Sequence, residues 1–377
     1  MSLWPNKYVI GLTGNIATGK SVVRKMLEHL GAYGIDADAL SHRAMMKGGP
    51  GYKPVVSTFG KWILNPDGQI DRAKLGDLVF SNPEALASLE KIIHPYVGQA
   101  IDLLVKRANQ KVIVIEAIKL LEGKIHNNCD AIWVAEACSK TQISRLIQRR
   151  KIGRKAARIR VSAQAPQDAK IQAADVVIRN DGTFEETWHQ VVAAWEKTVS
   201  KKEAKPAPIK RTEIDTMTIH RAGPQEAENI AKFISHLSDG KRRMTPTDVM
   251  AAFGEKAFLL LKSGEVIAGI LGWQVENLVA RVDDVFIAAG VDLTKSIRAM
   301  MAEVESASRE LQCEATLLFL PPRLAQNSDI WQQLGYTTRT VKNLNVRAWQ
   351  EAAMESMPPG TVLYFKQLRK DRVLRPV

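Results

Sequence analysis

The chain has 377 residues, enough for two domains at roughly 100–200 residues each. With 45% hydrophobic and 25% charged residues, it is neither a disordered chain nor a collagen-like fibre, and its three scattered cysteines (Cys129, Cys138 and Cys313) exclude a disulfide scaffold. The net charge of +13 is local: residues 140–170 hold ten Lys/Arg against one acid and residues 201–211 five against one, whereas residues 212–377 hold twenty of each. A cluster of this kind suits one or two polyanionic small molecules better than a nucleic acid or a membrane surface, and residues 140–170 contain no Phe, Tyr or Trp for base stacking. No uncharged apolar run approaches the ~20 residues of a membrane helix. The opening Met-Ser-Leu-Trp-Pro-Asn-Lys lacks the basic and apolar regions of a secretory signal, so a reducing cytoplasm is the expected compartment.

In chain order, strands are expected at Tyr8–Thr13, near Tyr33–Ile35, and at Lys111–Ala117, Ala131–Ala137 and Val176–Arg179. Helical patterns lie between them at Gly19–Leu30, Pro83–Lys106 and Thr141–Arg150. Alternation of this kind predicts a parallel sheet with helices on both faces. Ser200–Arg211 is basic, carries Pro206 and Pro208, and reads as an exposed linker. Beyond it, Met217–Ile219, Ala257–Leu261, Val266–Gln274 and Val279–Ile287 read as antiparallel strands. A helix is expected from about Pro224 to Ser235, another at Thr294–Leu311, and a strand at Ala315–Leu320. The division expected is therefore 1–199, a linker at 200–211, and 212–377.

The most specific signal is Gly14-Asn15-Ile16-Ala17-Thr18-Gly19-Lys20-Ser21, a G-x-x-x-x-G-K-[ST] phosphate loop between a strand and a helix. Its glycines let backbone N–H groups close round phosphate oxygens, and the helix start adds its positive dipole end. Lys20 is expected to hold the outer phosphates of a nucleotide and Ser21 a Mg²⁺ ion. No Asn-Lys-x-Asp guanine motif is present. Asp36 and Asp38 follow at the end of the second strand. If both lie on that strand they share a face towards the loop, where a carboxylate can accept a hydroxyl proton; the alternative is that they cap the next helix.

Further matches follow in order: Leu30-Gly31-Ala32, Ile35-Asp-Ala-Asp38, Phe59-Gly60, Asp67-Gly68-Gln-Ile-Asp71-Arg72, Leu78-Val-Phe80 and Ile93-His94-Pro95. After them come Leu121-Glu122, Arg145-x-x-x-Arg149, Gln164, Lys170 and Ala174-Asp175-Val-Val-Ile178-x-Asn180-x-Gly182. Together these residues, over about 7–195, resemble dephospho-coenzyme A kinase, the family that phosphorylates the ribose 3′-hydroxyl of dephospho-coenzyme A. The resemblance implies an α/β P-loop NTPase sheet with a helical substrate insertion and a lid, using ATP and Mg²⁺. It places Asp38 as the base, with Lys20 and Arg145 also catalytic. Asp36, Asp71, Arg72, His94, Pro95 and Glu122 fall at the substrate, and the loop with Val22, Arg149, Asn180 and Gly182 at ATP. The chain departs from the family's Asp-x-Pro-Leu-Leu-Phe-Glu run with Glu116-Ala-Ile-Lys119-Leu-Leu-Glu122, and carries Asn15, Ala17 and Thr18 where Gly, Gly and Ser are commoner. Alternatives are a kinase for another nucleotide-like alcohol and a non-catalytic nucleotide- or coenzyme-A-binding regulator.

The strand and helix order after the linker, with Ile330-Trp331-Gln-Gln-Leu-Gly335-Tyr336, resembles an α+β GNAT-like acyltransferase domain over about 216–350. The resemblance implies an acyl-coenzyme A pyrophosphate loop after the Val279–Ile287 strand. Here the matching stretch is Ala288-Ala-Gly290-Val-Asp292-Leu-Thr-Lys295-Ser296, with one glycine and an acid. An acid beside a pyrophosphate is unfavourable on charge grounds. Three readings stand for this half: an acyltransferase, a degenerate acyl-coenzyme A sensor, or a structural module.

Overall fold

The computed structural model describes residues 3–199, 212–214, 217–238 and 242–374; the expected linker at 200–211 lies outside them. Contacts divide the chain into two compact units. One comprises Met1–Ile35, Asn109–Gln274 and Val282–Ala307, the other Asp36–Ala108, Val275–Arg281 and Ser308–Val377.

Five strands, β1 (Tyr8–Thr13), β2 (Tyr33–Asp36), β3 (Val112–Glu116), β4 (Ala131–Glu136) and β5 (Val176–Arg179), form a sheet in the order β2-β3-β1-β4-β5. The pairings of β1 with β3 and β4, and of β4 with β5, are parallel. Every residue of β3 is buried, as a strand covered on both faces requires. Helix α1 (Lys20–His29) follows β1, and its Val23, Met26 and Leu27 join Leu12, Trp133 and Trp195 in the core beneath the sheet. The register sets Leu12 opposite Glu116 and Thr13 opposite Val134. The carboxyl edge of the sheet, where open α/β sheets bind ligands, thus presents the phosphate loop beside Glu116.

Four helices separate β2 from β3: α2 (Ala37–Met45), α3 (Tyr52–Phe59), α4 (Arg72–Ser81) and α5 (Pro83–Arg107). Their starts are written in the sequence. Asp36, Asp71 and Asn82 each accept backbone N–H bonds from the first turn of the helix they cap, and Pro83 supplies a first-turn residue whose missing N–H costs nothing. Of the two readings of Asp36 and Asp38, the capping one holds. β2 stops at Asp36, whose extended backbone lets its carboxylate take the Ala39 N–H at 2.8 Å, so Asp38 lies in the first turn of α2 and the two carboxylates do not share a strand face.

After β4 come α6 (Ser139–Arg150), α7 (Arg154–Ser162) and α8 (Asp168–Gln172); after β5 comes α9 (Phe184–Thr198), opened by a Thr183/Glu186 capping box. The remaining strands are β6 (Thr212–Ile214), β7 (Met217–Arg221), β8 (Ala257–Ser263), β9 (Val266–Glu276), β10 (Val279–Ile287), β11 (Ala315–Leu320), β12 (Thr337–Thr338) and β13 (Val362–Gln367). They form a second sheet, ordered β12-β13-β11-β10-β9-β8-β7-β6. The expected helix at Pro224–Ser235 begins as a 3₁₀ turn, Pro224–Glu226, before α10 (Ala227–Leu237). The Glu226 carboxylate holds the Gly223 N–H and Lys262 there instead of pointing to solvent. Helices α11 (Pro246–Phe253), α12 (Leu293–Glu310), α13 (Pro322–Ala325), α14 (Ser328–Gln333) and α15 (Arg347–Ser356) complete the chain. Trp273, Trp331 and Trp349 are buried.

Within the second unit, α2 is held by a buried ion pair. Arg43 donates to Glu314 at 2.7 Å and to the Asn277 carbonyl at 2.7 Å, with the two side chains 2% and 0% exposed; His42 lies 3.1 Å from Glu351. Removing one partner leaves a desolvated charge, whereas replacing both by apolar groups does not. Glu314→Gln is therefore expected to cost about 3–5 kcal/mol in urea unfolding. The double replacement Arg43→Met/Glu314→Met should cost clearly less than the sum of the two single changes.

Within the first unit, His29 closes α1. Its Nδ1 faces Nη2 of Arg221 at 3.1 Å; a guanidinium only donates, so the ring proton sits on Nε2 and is given to the Phe253 carbonyl at 2.9 Å. Burial and the Arg221 charge push the ring down from 6.5 to about 3. The unfolded chain binds this proton below pH 6.5 and the folded chain only near 3. The contribution is therefore full above 6.5 and is lost as pH falls, at up to about 1.4 kcal/mol per pH unit. Stability measured at pH 7 and pH 5 should fall less for His29→Gln than for the wild type.

Candidate active site at the phosphate loop

Gly14 and Gly19 adopt φ of +148° and +94°, and a Cβ at Gly14 would stand 2.3 Å from the Ala135 carbonyl oxygen. Ala17 takes the left-handed conformation too, at φ +59°, so the loop keeps its shape with alanine there at a cost of about 1–2 kcal/mol. Turning amides towards a phosphate turns carbonyls away from it, and here those carbonyls are tied down from behind. Lys20 Nζ donates to the Asn15 carbonyl at 3.2 Å, and Asn180 Nδ2 to that of Thr18 at 2.9 Å. Arg145 Nη1 reaches the carbonyls of Ala17 and Thr18 at 3.3 Å each, while its Nη2 takes the Asn180 carbonyl at 2.7 Å. Thr187 fixes the Asn180 amide by donating to its Oδ1 at 3.0 Å.

On the lid side, Gln164 Oε1 accepts the Ile16 N–H at 2.6 Å, and Asn15 Nδ2 donates to the Ala165 carbonyl at 2.9 Å. Lys170 donates to Asn15 Oδ1 at 3.3 Å and to the Ile118 carbonyl at 2.9 Å, setting a second buried ammonium near the loop. A cavity of about 560 Å³ opens beside these groups, lined among others by Asn15, Cys138, Gln142, Arg158 and Gln164.

At the end of β3, Glu116 is 4% exposed. Its Oε1 accepts the Ser21 hydroxyl at 2.9 Å, and its Oε2 pairs with Arg24 Nε at 2.7 Å. A hydroxyl and a carboxylate oxygen side by side at the phosphate loop are hard donors that suit Mg²⁺, which keeps waters and takes phosphate oxygens for the rest of its shell.

The structure brings Gly14 to Ser21, Arg145 and Asn180 together. Val22 packs on the core of the sheet, and Gly182 lies in the turn before α9, where a Cβ would meet the Glu186 carboxylate. Arg149 is on α6, but its side chain lies outside the described residues. In the second unit, Asp36 and Asp71 are helix caps, Asp38 and Arg72 are exposed in first turns, and His94 and Pro95 are exposed on α5. Glu122 is exposed in the loop after β3. Sequence reasoning treated Glu116 only as a departure and overlooked Arg24. An acid ending the apolar run Val112-Ile-Val-Ile-Glu116 was a usable signal, whereas nothing local marked Arg24.

Among the described residues, no helix is long and apolar enough to cross a membrane. A family model described as dephospho-CoA kinase matches residues 8–186. The dephospho-CoA kinase of Geobacter metallireducens is 44% identical over 196 residues, covering 51% of this chain and 98% of that protein. That of Carboxydothermus hydrogenoformans is 42% identical over 192 residues, covering 50% and 93%. Over the other half, a GNAT-family acetyltransferase from Staphylococcus aureus is similar at 13% identity, covering 41% of this chain and 99% of that one, with a TM-score of 0.34. Through its N-terminal half, the chain belongs to the dephospho-coenzyme A kinase family.

Proposed function

We propose that the chain transfers the terminal phosphoryl group of ATP to the ribose 3′-hydroxyl of dephospho-coenzyme A, and that it divides functionally into a kinase half, 1–199, and a second half, 212–377. The observation that carries this reading is the Ser21–Glu116 pair beside a phosphate loop braced from behind, in a chain of this family. Each of the two sheets draws its strands from one half only, which supports the division.

Phosphoryl transfer asks for positioning and charge stabilisation more than covalent chemistry. The loop amides and Lys20 bind the phosphate oxygens; basic residues beside the cavity, Arg158 among them, add positive charge where the transferring group gathers negative charge. Mg²⁺, when bound, neutralises charge between the outer phosphates, and Ser21 with Glu116 would hold it. Arg145 and Asn180 act on the loop rather than on solvent-facing phosphate, since their polar atoms are spent on loop and neighbouring carbonyls. Asp38, in the first turn of α2, is the group assigned to accept the 3′-hydroxyl proton.

For the second half we favour a structural role over acyl transfer. Asp292 Oδ1 accepts the Lys295 N–H at 3.0 Å, so the start of α12 already carries its own anion where an acyl-coenzyme A pyrophosphate would need to dock.

A coupled assay with dephospho-coenzyme A tests the main reading, and no turnover with this acceptor while another nucleotide-like alcohol is phosphorylated would replace it. Asp38→Asn is expected to lower kcat by about 10²–10⁴ with ATP affinity within about twofold of wild type. Unchanged turnover would remove Asp38 as the base.

A further inference from the structure

A line of polar contacts runs from the second half of the chain into the phosphate loop. Ser21 donates to Glu116, Glu116 pairs with Arg24 at 2.7 Å, and Arg24 Nη1 pairs with Glu28 Oε1 at 2.6 Å. Ser21, Arg24 and Glu28 all project from α1. The helix ends at His29, whose two ring nitrogens are both held by groups from the second half, Arg221 on β7 and the Phe253 carbonyl at the end of α11. The His29 ring also stacks edge-on against Phe253, with centroids 5.7 Å apart.

Arg221 is more than a partner for a neutral ring. Its guanidinium lies 5.9 Å from the Trp273 ring centroid, and its buried Nε has no hydrogen-bond partner among the described residues. Burial opposes a guanidinium in that state, and the charge of Glu28, one residue before His29, partly offsets this; the contact itself is made to His29. Burial pushes the Glu28 carboxyl up, but the Lys25, Arg24 and Arg221 charges overcome this and hold it at about 2. Glu28 is thus a fixed anion held by Arg24 at 2.6 Å and Lys25 at 2.8 Å, in the turn that ends at His29. Gly34 leaves room for it, since a Cβ there would stand 2.1 Å from Glu28 Oε1.

We propose that Arg221, supplied by the second half, is a positioning residue for the kinase reaction. It holds His29 and so anchors the last turn of α1, from which Glu28 and Arg24 set the rotamer of Glu116 beside Ser21. It touches neither nucleotide nor acceptor. This inference rests on the kinase reading of the phosphate loop, and it makes the second half a working part of the kinase rather than an attached passenger.

The test uses the full chain, the single variants Arg221→Met, Arg221→Lys and Glu28→Gln, and the double variant Arg221→Met/Glu28→Gln, with Phe253→Leu as a control that loosens the same junction without removing charge. Mn²⁺ affinity in the presence of ATP, read by electron paramagnetic resonance, and thermal stability are measured beside the kinetics. Arg221→Met is expected to weaken Mn²⁺ binding about fivefold or more and to lower kcat about tenfold, with the KM for dephospho-coenzyme A within twofold. Arg221→Lys should recover most of both losses. Arg221→Met/Glu28→Gln should be no worse than the more impaired of its two single variants, because both act along one line. Phe253→Leu should lose thermal stability and keep the Mn²⁺ affinity. Wild-type Mn²⁺ affinity and kcat in Arg221→Met with a lowered melting temperature would overturn the proposal and leave Arg221 as a structural contact. So would multiplicative losses in the double variant. If Arg221→Met does not fold, Arg221→Lys and Glu28→Gln carry the comparison: Mn²⁺ affinity weakened in Glu28→Gln and near wild type in Arg221→Lys supports it, and wild-type affinity in Glu28→Gln overturns it. The Mn²⁺·ATP measurement needs no acceptor, so failure of the acceptor assignment and failure of this inference register separately.

Discussion

A loop can turn several amide groups towards one anion only if its carbonyls are satisfied elsewhere, and much of the first unit serves that constraint. The carbonyls of Asn15, Ala17 and Thr18 are taken by Lys20, Arg145 and Asn180, which come from α1, α6 and the turn after β5. Two elements far apart in sequence, carrying Arg145 and Asn180, therefore join Lys20 behind the loop. The parallel sheet makes this convergence possible by ending β1, β4 and β5 at one edge. Loss of Arg145 would release the Ala17 carbonyl and free its dipole to turn towards the phosphate and oppose its charge.

The strands were legible because parallel-sheet strands are short, apolar and separated by helical periods; β1, β5, β10 and β11 have the expected bounds to the residue. The caps of α4 and α5 were equally local signals. Asp38 was harder, because a single cap at Asp36 decides whether the next two residues continue a strand or begin a helix, and spacing alone favours neither. The roles of Arg145 and Asn180 as braces were not legible at all. Each depends on a contact across more than 30 residues, and a basic or amide side chain reads the same from sequence whether it faces a ligand or a carbonyl.

The basic excess also takes on a sharper meaning. Part of the charge in residues 140–170 is already spent inside the protein, with half-buried Arg145 and buried Lys170 bonded to carbonyls and Asn15. What remains for incoming phosphates is a smaller set near the cavity, including Arg158. A count of charges thus overstates the field a ligand meets, because it adds together cations that hold the loop and cations that face solvent.

Phe184, the first residue of α9, packs against the core under the parallel sheet and also against the core built from Ile230, Phe253 and Phe258. One aromatic ring is thereby shared by two hydrophobic clusters from opposite sides of the linker. Hydrophobic burial is not credited to either cluster separately, so the melting of one exposes part of the other. A protease cut anywhere between Ser200 and Arg211 would break the chain without parting the pieces. The two fragments should migrate as one species under native conditions and separate only when denatured, as subunits of an obligate heterodimer do.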